Sequence, residues 1–321
     1  MNRRCVITVG DLGEFGIVSR ISGRLPQGGT VLLGPGDDAA LLRAPDGRVV
    51  VTTDLLIEGR HFRRDWSSGY DIGRKAAAQN LSDVAAMGAR PTGIVVGLGL
   101  PAGASTDWLD DLTDGFRDEC DLVGASVVGG DITRCDPVVI GVTALGDLGG
   151  RPPVTRSGAR PGDIVAVTGR LGHAAAGLAL LGAGPPVPGE LAGLVEAHRR
   201  PLPPYARGPE AAALGATAML DVSDGLLQDL GHVARASGVG VVLDPGRLPV
   251  PGTLSRAADL LGADPLEWVL SGGDDHALAA TFPDGVALPP EWTTVGRVVE
   301  GGGARVEGRS VEHGGWDHFR E

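Results

Sequence analysis

The sequence predicts an α/β protein built in two halves. Three observations carry that reading. β-like apolar runs alternate with stretches of helical spacing along the chain, a breaker-rich segment Gly149-Gly-Arg-Pro-Pro153 separates two such regions, and 321 residues at 42% hydrophobic can bury more than one core. Residues 1–149 and 150–321 are therefore expected as separate domains, with no internal repeat or low-complexity tract in either.

In the first half, Cys5 to Val9 is β-like, and Glu14 to Ile21 has the spacing of a short helix broken by Pro26-Gln-Gly-Gly29. Val31 to Leu33 is β-like and is followed by Gly34-Pro-Gly-Asp-Asp-Ala-Ala40. Ala40 to Arg43 and Val49 to Thr53 flank the turn Pro45-Asp-Gly47, which predicts a hairpin whose second strand ends in Thr52-Thr53-Asp54. A polar loop with Glu58 and His61 leads to a helix over Ala76 to Ala89, where Ala77, Leu81, Val84, Ala85 and Gly88 make one apolar stripe. Thr92 to Leu100 reads as a strand and Ser105 to Leu122 as a helix with Ser105 as its N-cap. Ala125 to Val128 is a strand running into Gly129-Gly-Asp131, and Val138 to Leu145 closes the half.

Beyond the linker, Asp163 to Val167, Gly169 to Gly172 and Ala174 to Leu181 read strand, glycine turn, helix. Prolines at 185–188 and 201–204 bracket a short helix. Ala218 to Val222 is a strand into Ser223-Asp224-Gly225, followed by a helix to Ala236 and a strand at Val239 to Leu243. Ala277 to Phe282 and Thr293 to Val299 are β-like, and the chain finishes with Gly314-Gly-Trp-Asp-His-Phe319.

A formal charge of −12 and a pI near 5.0 argue against nucleic acid or an anionic membrane as partner. Cys5, Cys120 and Cys135 lack both disulfide and zinc spacing, so a reducing compartment is expected. The apolar run near the start is too short for a signal-peptide core, and none reaches membrane-spanning length; a cytoplasmic protein is the expectation.

Asp83 is the only charge between Ala76 and Ala89, and no Lys or Arg lies one turn from it. It is either a solvated carboxylate or one served by a distant arginine or a metal ion. Asp37, Asp38, Asp54, Asp131, Asp221, Asp224, Asp274 and Asp275 all adjoin β-like segments. Two carboxylates about 5 Å apart repel by roughly 3 kcal/mol at an effective dielectric near 20, so a convergent set requires divalent cations, and oxygen ligands suit Mg²⁺. The glycines of Gly129-Gly130-Asp131 and Gly169-Arg-Leu-Gly172 would let backbone approach a ligand, and a following helix N-terminus could face a phosphate. Lys75 is the only lysine and precedes Ala76, which excludes a Walker A loop and the protein-kinase lysine set. His61 could meet an anionic substrate and Trp316 could stack on a planar one, although a solvated loop histidine and a core-closing tryptophan remain open readings.

With these pieces in place, the sequence resembles the thiamine-monophosphate kinases, of the superfamily that includes aminoimidazole ribonucleotide synthetase and selenophosphate synthetase. The resemblance runs from about Gly13 to Phe319. It is carried by Gly13-Glu-Phe, Gly36-Asp-Asp-Ala-Ala, Thr52-Thr-Asp54, His61-Phe62, Asn80-Leu-Ser-Asp-Val-Ala-Ala-Met-Gly-Ala, Gly129-Gly-Asp131, Thr155-Arg-Ser-Gly-Ala159, Pro161-Gly-Asp163, Asp221-Val-Ser-Asp-Gly-Leu226 and Gly315-Trp-Asp-His-Phe319.

The resemblance implies a two-domain aminoimidazole-ribonucleotide-synthetase-like fold, an N-terminal sheet that pairs across a homodimer, and an active site in the cleft between the domains. It implies several Mg²⁺ ions on Asp38, Thr52, Thr53, Asp54, Asp83, Asp131, Asp221 and Asp224. ATP would meet Gly130, Asp131, Arg156 and Ser223, and thiamine monophosphate would meet His61, Asp274 and Trp316; Asp83, Asp131 and Arg156 would carry catalysis. The implied reaction is in-line transfer of the γ-phosphoryl group to thiamine monophosphate, the last step toward thiamine diphosphate. A related ATP-dependent enzyme or a nucleotide-binding subunit would share the same chemistry of binding. The family's Gly-Gly-Glu-Asp-Tyr is here Gly272-Gly-Asp-Asp-His276, so Asp274 stands for Glu and His276 for Tyr, and residues before Gly10 have no family counterpart.

Overall fold

The computed structural model describes residues 7–35, 40–311 and 314–316. The chain divides into two units: the described residues up to Val84 with Arg90–Gly150, and Ala85–Ala89 with the described residues from Arg151 onward.

In the first unit, α1 (Val9–Ser22) starts at Thr8, whose amide and hydroxyl both donate to Asp11 Oδ2 at 2.8 Å, and it kinks at Gly13, where φ is +66°. β1 (Val31–Leu33) pairs antiparallel with β2 (Leu41–Leu42). The main sheet holds β3 (Val50–Ile57), β4 (Arg90–Leu100), β5 (Ser126–Arg134) and β6 (Val139–Asp147) in the order β3-β6-β4-β5. β4 and β5 run parallel and the other two pairs antiparallel.

This corrects two expectations. The hairpin across Pro45-Asp-Gly47 does not form, because β2 pairs with β1 and β3 pairs with β6 over eight residues. β3 also continues through Leu55-Leu-Ile57, and β5 continues past Gly129-Gly-Asp131 to Arg134, so these acids sit within strands rather than at strand ends. Long in-register ladders with apolar alternation outweigh the low strand preference of Asp and Gly.

One face of this sheet is covered. Ile140, Val142 and Ala144 alternate along β6 as fully buried residues, and Ile94 of β4 joins them. The opposite face is open and apolar: Val51 and Leu55 of β3 are 63% and 59% exposed, and Val95 of β4 is exposed beside them. α2 (Gly69–Ala86) and α3 (Thr106–Asp121) cross closely. A Cβ on Gly73 would fall 2.1 Å from Leu112 O, and one on Gly115 would fall 2.3 Å from Tyr70 O, so glycine alone permits the backbone contact. Arg74 pairs there with the fully buried Glu119, and Tyr70 Oη donates to Asp118 at 2.9 Å. α3 begins as expected at Ser105, whose Oγ accepts from Trp108 N at 3.1 Å.

In the second unit, β7 (Ile164–Thr168), β8 (Ala218–Val222), β9 (Gly240–Leu243), β10 (Ala277–Phe282), β11 (Thr293–Val299) and β12 (Gly303–Val306) form one sheet in the order β12-β9-β11-β7-β10-β8. Only β12 and β9 pair in parallel among these. Every residue of β8, β9 and β10 is buried, because both faces are covered. Val165, Leu220, Leu226 and Leu230 belong to the core on one side; Ala166, Met219, Leu278 and Phe282 belong to the other. The helices are α4 (His173–Ala183), α5 (Ala192–Arg199), α6 (Arg207–Leu214), α7 (Leu226–Ser237), α8 (Gly252–Leu261) and α9 (Pro265–Ser271). α6, α8, α9 and β12 were not expected from the sequence pattern, although Asp264 before Pro265 is a legible start signal and its Oδ1 accepts from Leu266 N at 2.9 Å.

Replacing Gly73 with Ala should lower stability by about 1–3 kcal/mol, since the two helix backbones must separate to admit the methyl group. Urea unfolding of the variant against the parent checks this; an unchanged midpoint would show that the crossing tolerates a side chain.

Candidate active site

Of the first unit's acids, Asp37 and Asp38 lie outside the described residues. Asp83 of α2 accepts a hydrogen bond from Thr52 Oγ1 at 2.7 Å. Strand alternation carries Asp54 on the same side as Thr52 and turns Thr53 the other way, where its hydroxyl donates to Val142 O at 3.0 Å. Asp54 stands beside Val142, in the row of Val96 and Gly130, whereas Asp131 stands beside Gly97, in the row of Leu55. The structure therefore brings Thr52, Asp54 and Asp83 to one side of the sheet and sets Asp131 one row out of step. Among the described residues, no three His, Cys, Asp or Glu side chains gather closely enough to hold a metal ion.

A cavity of about 610 Å³ opens beside β5, lined by Gly129, Gly130 and Asp131 and by Pro35 and Ala40, which flank the Asp37–Asp38 segment. A Cβ on Gly130 would lie 2.1 Å from Val96 O, so this glycine serves the close approach of β4 itself. No helix follows it, because β6 comes next, and the expected helix N-terminus for phosphate is absent at this point.

The glycine turn at 169–172 does start a helix, but its N-terminus is taken. Asp275 Oδ1 accepts from Ala174 N, in the first turn of α4, at 3.0 Å. Burial pushes the Asp275 carboxyl up to about 7; the Ala174 amide opposes this and the negative charge of Asp274 adds to it.

His61 is anchored at the end of β3. Its Nδ1 accepts from Ile57 N at 3.0 Å, which places the proton of the neutral ring on Nε2.

The second unit gathers its predicted residues around one turn, Ser223-Asp224-Gly225, between β8 and α7. Asp221, the buried last-but-one residue of β8, lies 3.0 Å from Nδ1 of the buried His276. Asp274 N donates to Ser223 O at 2.9 Å and His276 N to Val222 O at 3.1 Å, which lays the Gly272–His276 loop against the turn. Trp316 N donates to Asp224 O at 3.0 Å, and Gln228 Nε2 donates to Trp316 O at 2.6 Å. Asp221, Ser223, Asp224, Asp274 and Trp316 are thus brought together. Asp274 and His276 have φ of +66° and +52°, backbone conformations that Asp and His adopt more readily than Glu or Tyr. Arg156 is exposed on a loop pinned by Ser237, whose Oγ donates to Arg156 O and accepts from Gly158 N, both at 3.1 Å. Burial, then the charges of Arg156 and Arg235, hold the nearby His232 below its ordinary value.

Sequence reasoning missed Asp229. Its Oδ2 accepts from the amides of Ser223, Asp224 and Gly225 at 3.1, 3.1 and 3.0 Å. Burial raises its carboxyl to about 7, with the amides opposing and the charges of Asp221 and Asp224 adding to the rise. An acid four residues beyond a Ser-Asp-Gly turn, on the first turn of a helix, was the available signal.

Residues 36–148 match the family model described as AIR synthase related protein, N-terminal domain. A thiamine-monophosphate kinase of Mycobacterium tuberculosis is 50% identical over 317 residues, covering 98% of this chain and 94% of the relative.

The chain belongs to the thiamine-monophosphate kinase family.

The crystal structure of the family member from Stenotrophomonas maltophilia K279a is 38% identical, with a TM-score of 0.81 over 94% of this chain and 98% of that one. A structure described as AaThiL complexed with AMPPCP and TMP is 33% identical, with a TM-score of 0.81 over 98% of this chain and all of the other. The fold of these family members is accordingly the fold of this chain.

The raised Asp275 carboxyl sets a pH dependence. Its proton is held more tightly in the folded than in the unfolded chain, so its contribution to stability is full below the ordinary carboxylate value and is lost as pH rises through about 7. The melting temperature should therefore fall between about pH 4 and about pH 7, and Asp275→Asn should flatten part of that slope. Thermal unfolding of both proteins across this range checks it; parallel slopes would exclude Asp275 as a source.

Proposed function

We propose that this protein transfers the γ-phosphoryl group of ATP to a phosphate oxygen of thiamine monophosphate, giving thiamine diphosphate and ADP. The observation that supports this most directly is similarity to a thiamine-monophosphate kinase along 98% of the chain. The relative described with AMPPCP and TMP, 33% identical over nearly the whole chain, supports the same pair of substrates.

In this reading the first unit binds Mg²⁺ through Asp38, through Thr52, Asp54 and Asp83 on one face of its sheet, and through Thr53 and Asp131 on the other, and the second unit binds it through Asp221 and Asp224. The donors present fit that ion: carboxylate and hydroxyl oxygens, with the Thr52 hydroxyl already orienting Asp83. When bound, Mg²⁺ supplies positive charge that offsets the repulsion between two polyanions and the charge spread over the transferring group. The acceptor phosphate is anionic near neutral pH, so no side chain need act as general base. What this chain's residues contribute is position. Gly130, Asp131, Arg156 and Ser223 contact ATP, the Arg156 guanidinium offering a planar fork of donors to phosphate oxygens. The ring of His61, with its proton on Nε2, donates to the phosphate of thiamine monophosphate, and Asp274 and Trp316 contact the same substrate. Trp316 is 56% exposed, which suits a stacking surface.

The protein acts as a homodimer in this proposal. The open apolar sheet face of Val51, Leu55 and Val95 supports burial against a second copy. Cytoplasmic placement belongs to the same proposal and is supported by the free thiols of Cys120 and Cys135. No helix among the described residues is long and apolar enough to cross a membrane.

Incubating the protein with ATP, Mg²⁺ and thiamine monophosphate should yield thiamine diphosphate, separable by chromatography. Well-folded protein that makes none would reject the proposal. Asp83→Asn should lower turnover on the order of 100-fold or more while leaving the melting temperature of the ion-free protein unchanged within a few degrees. Near-parental turnover in that variant would remove Asp83 from the metal set.

A further inference from the structure

The turn that gathers the second unit's site residues is itself built around a carboxylate. Asp229 is 3% exposed, and one of its oxygens receives three consecutive backbone amides, those of Ser223, Asp224 and Gly225. Successive amides curled in this way form a nest for an anion. Here the nest is filled by a side-chain carboxyl oxygen of the same chain, so these three amides are closed to phosphate. The arrangement sets Asp229 near two other acids, Asp221 and Asp224, whose charges oppose it. Three donors on one oxygen offset that repulsion.

The outer side of the turn then carries the site. Ser223 O receives Asp274 N, and Asp224 O receives Trp316 N. The turn has little room for any other path: Gly225 has φ of +141°, and a Cβ there would lie 2.8 Å from Ser271 O. We propose that Asp229 is a positioning residue: by filling the nest of the Ser223–Gly225 turn, it fixes the carbonyls that hold Asp274 and Trp316 and the backbone that carries Asp221 and Asp224. Its consequence for catalysis rests on the kinase reading above; the clamp itself does not.

The test uses the full chain as parent, D229N and D229A. Hydrogen exchange is followed in the peptide spanning residues 222–230, with peptides from β7 and β10 as a reference, alongside kcat and KM for thiamine diphosphate formation. In D229A the amides of residues 223–225 should lose protection while the reference strands keep theirs, and kcat should fall by roughly 100-fold, the size of effect that a misplacement near 1 Å produces. D229N keeps an oxygen at the same place without its charge and should lie between parent and D229A in both measurements. Parental protection and kcat in D229A would overturn the proposal. So would equal loss of protection in the reference strands, or a D229N protein as impaired as D229A. If D229A does not fold, D229N decides: selective loss at 223–225 supports the clamp, and uniform loss or none overturns it. A parent that forms no thiamine diphosphate overturns the kinase reading instead, and the exchange comparison alone then decides the clamp.

Discussion

A chain with 40 acidic and 28 basic side chains must find donors for every carboxylate it buries, because an unmatched buried charge is far more expensive than any single contact is favourable. The structure meets this constraint in two ways. Asp163, Asp229 and Asp275, all buried, take backbone amides: Asp163 Oδ2 accepts from Arg160 N and from the Thr217 hydroxyl, Asp275 from Ala174 N, and Asp229 from three amides at once. These acids hold loops and helix starts in place. The buried Asp221, the half-buried Asp54 and the exposed Asp131 lie within strands, where neighbouring amides belong to the sheet ladder, and the half-buried Asp83 lies within a helix. Asp83 takes the Thr52 hydroxyl and Asp221 lies against His276, and these four acids, with Asp38 and Asp224, are the ones proposed to face cations.

That division explains how far the sequence could be read. β4, α3 with its Ser105 cap, and β8 leading into Ser223-Asp224-Gly225 are local signals of period and capping, and local signals suffice for them. The Asp83 helix was legible from its apolar stripe, but its start at Gly69 was not, because Gly69 and Gly73 are poor helix formers retained for their contact with α3. The hairpin at Pro45-Asp-Gly47 failed for the converse reason: a good turn sequence lost to strand partners almost a hundred residues away. In the site, the recurrence of acids near strands was visible, whereas their sorting into loop anchors and candidate ligands depends on which amides are already engaged.

The glycines show the same limit. Gly130 and Gly172 read equally well as places where backbone could approach a ligand, yet each is required by the chain's own backbone: that of Val96 in one case and of Trp268 and Val269 in the other. A glycine announces a close approach without naming what approaches.

The backbone conformation at positions 274 and 276 suits the residues found there. Asp274 and His276 both have positive φ, and both have their amides tied to β8 and its following turn. A long or aromatic side chain at these positions bears more strain than Asp or His, whose short or polar side chains tolerate the left-handed region. His276 then gains a partner that the change of residue makes available: its Nδ1 reaches Asp221 in a buried setting. Asp274 is one methylene shorter than Glu, and the hydrogen bond from its amide to Ser223 O holds its backbone against the turn whose amides Asp229 accepts. Fixing the base of a short side chain limits the positions its carboxylate can occupy.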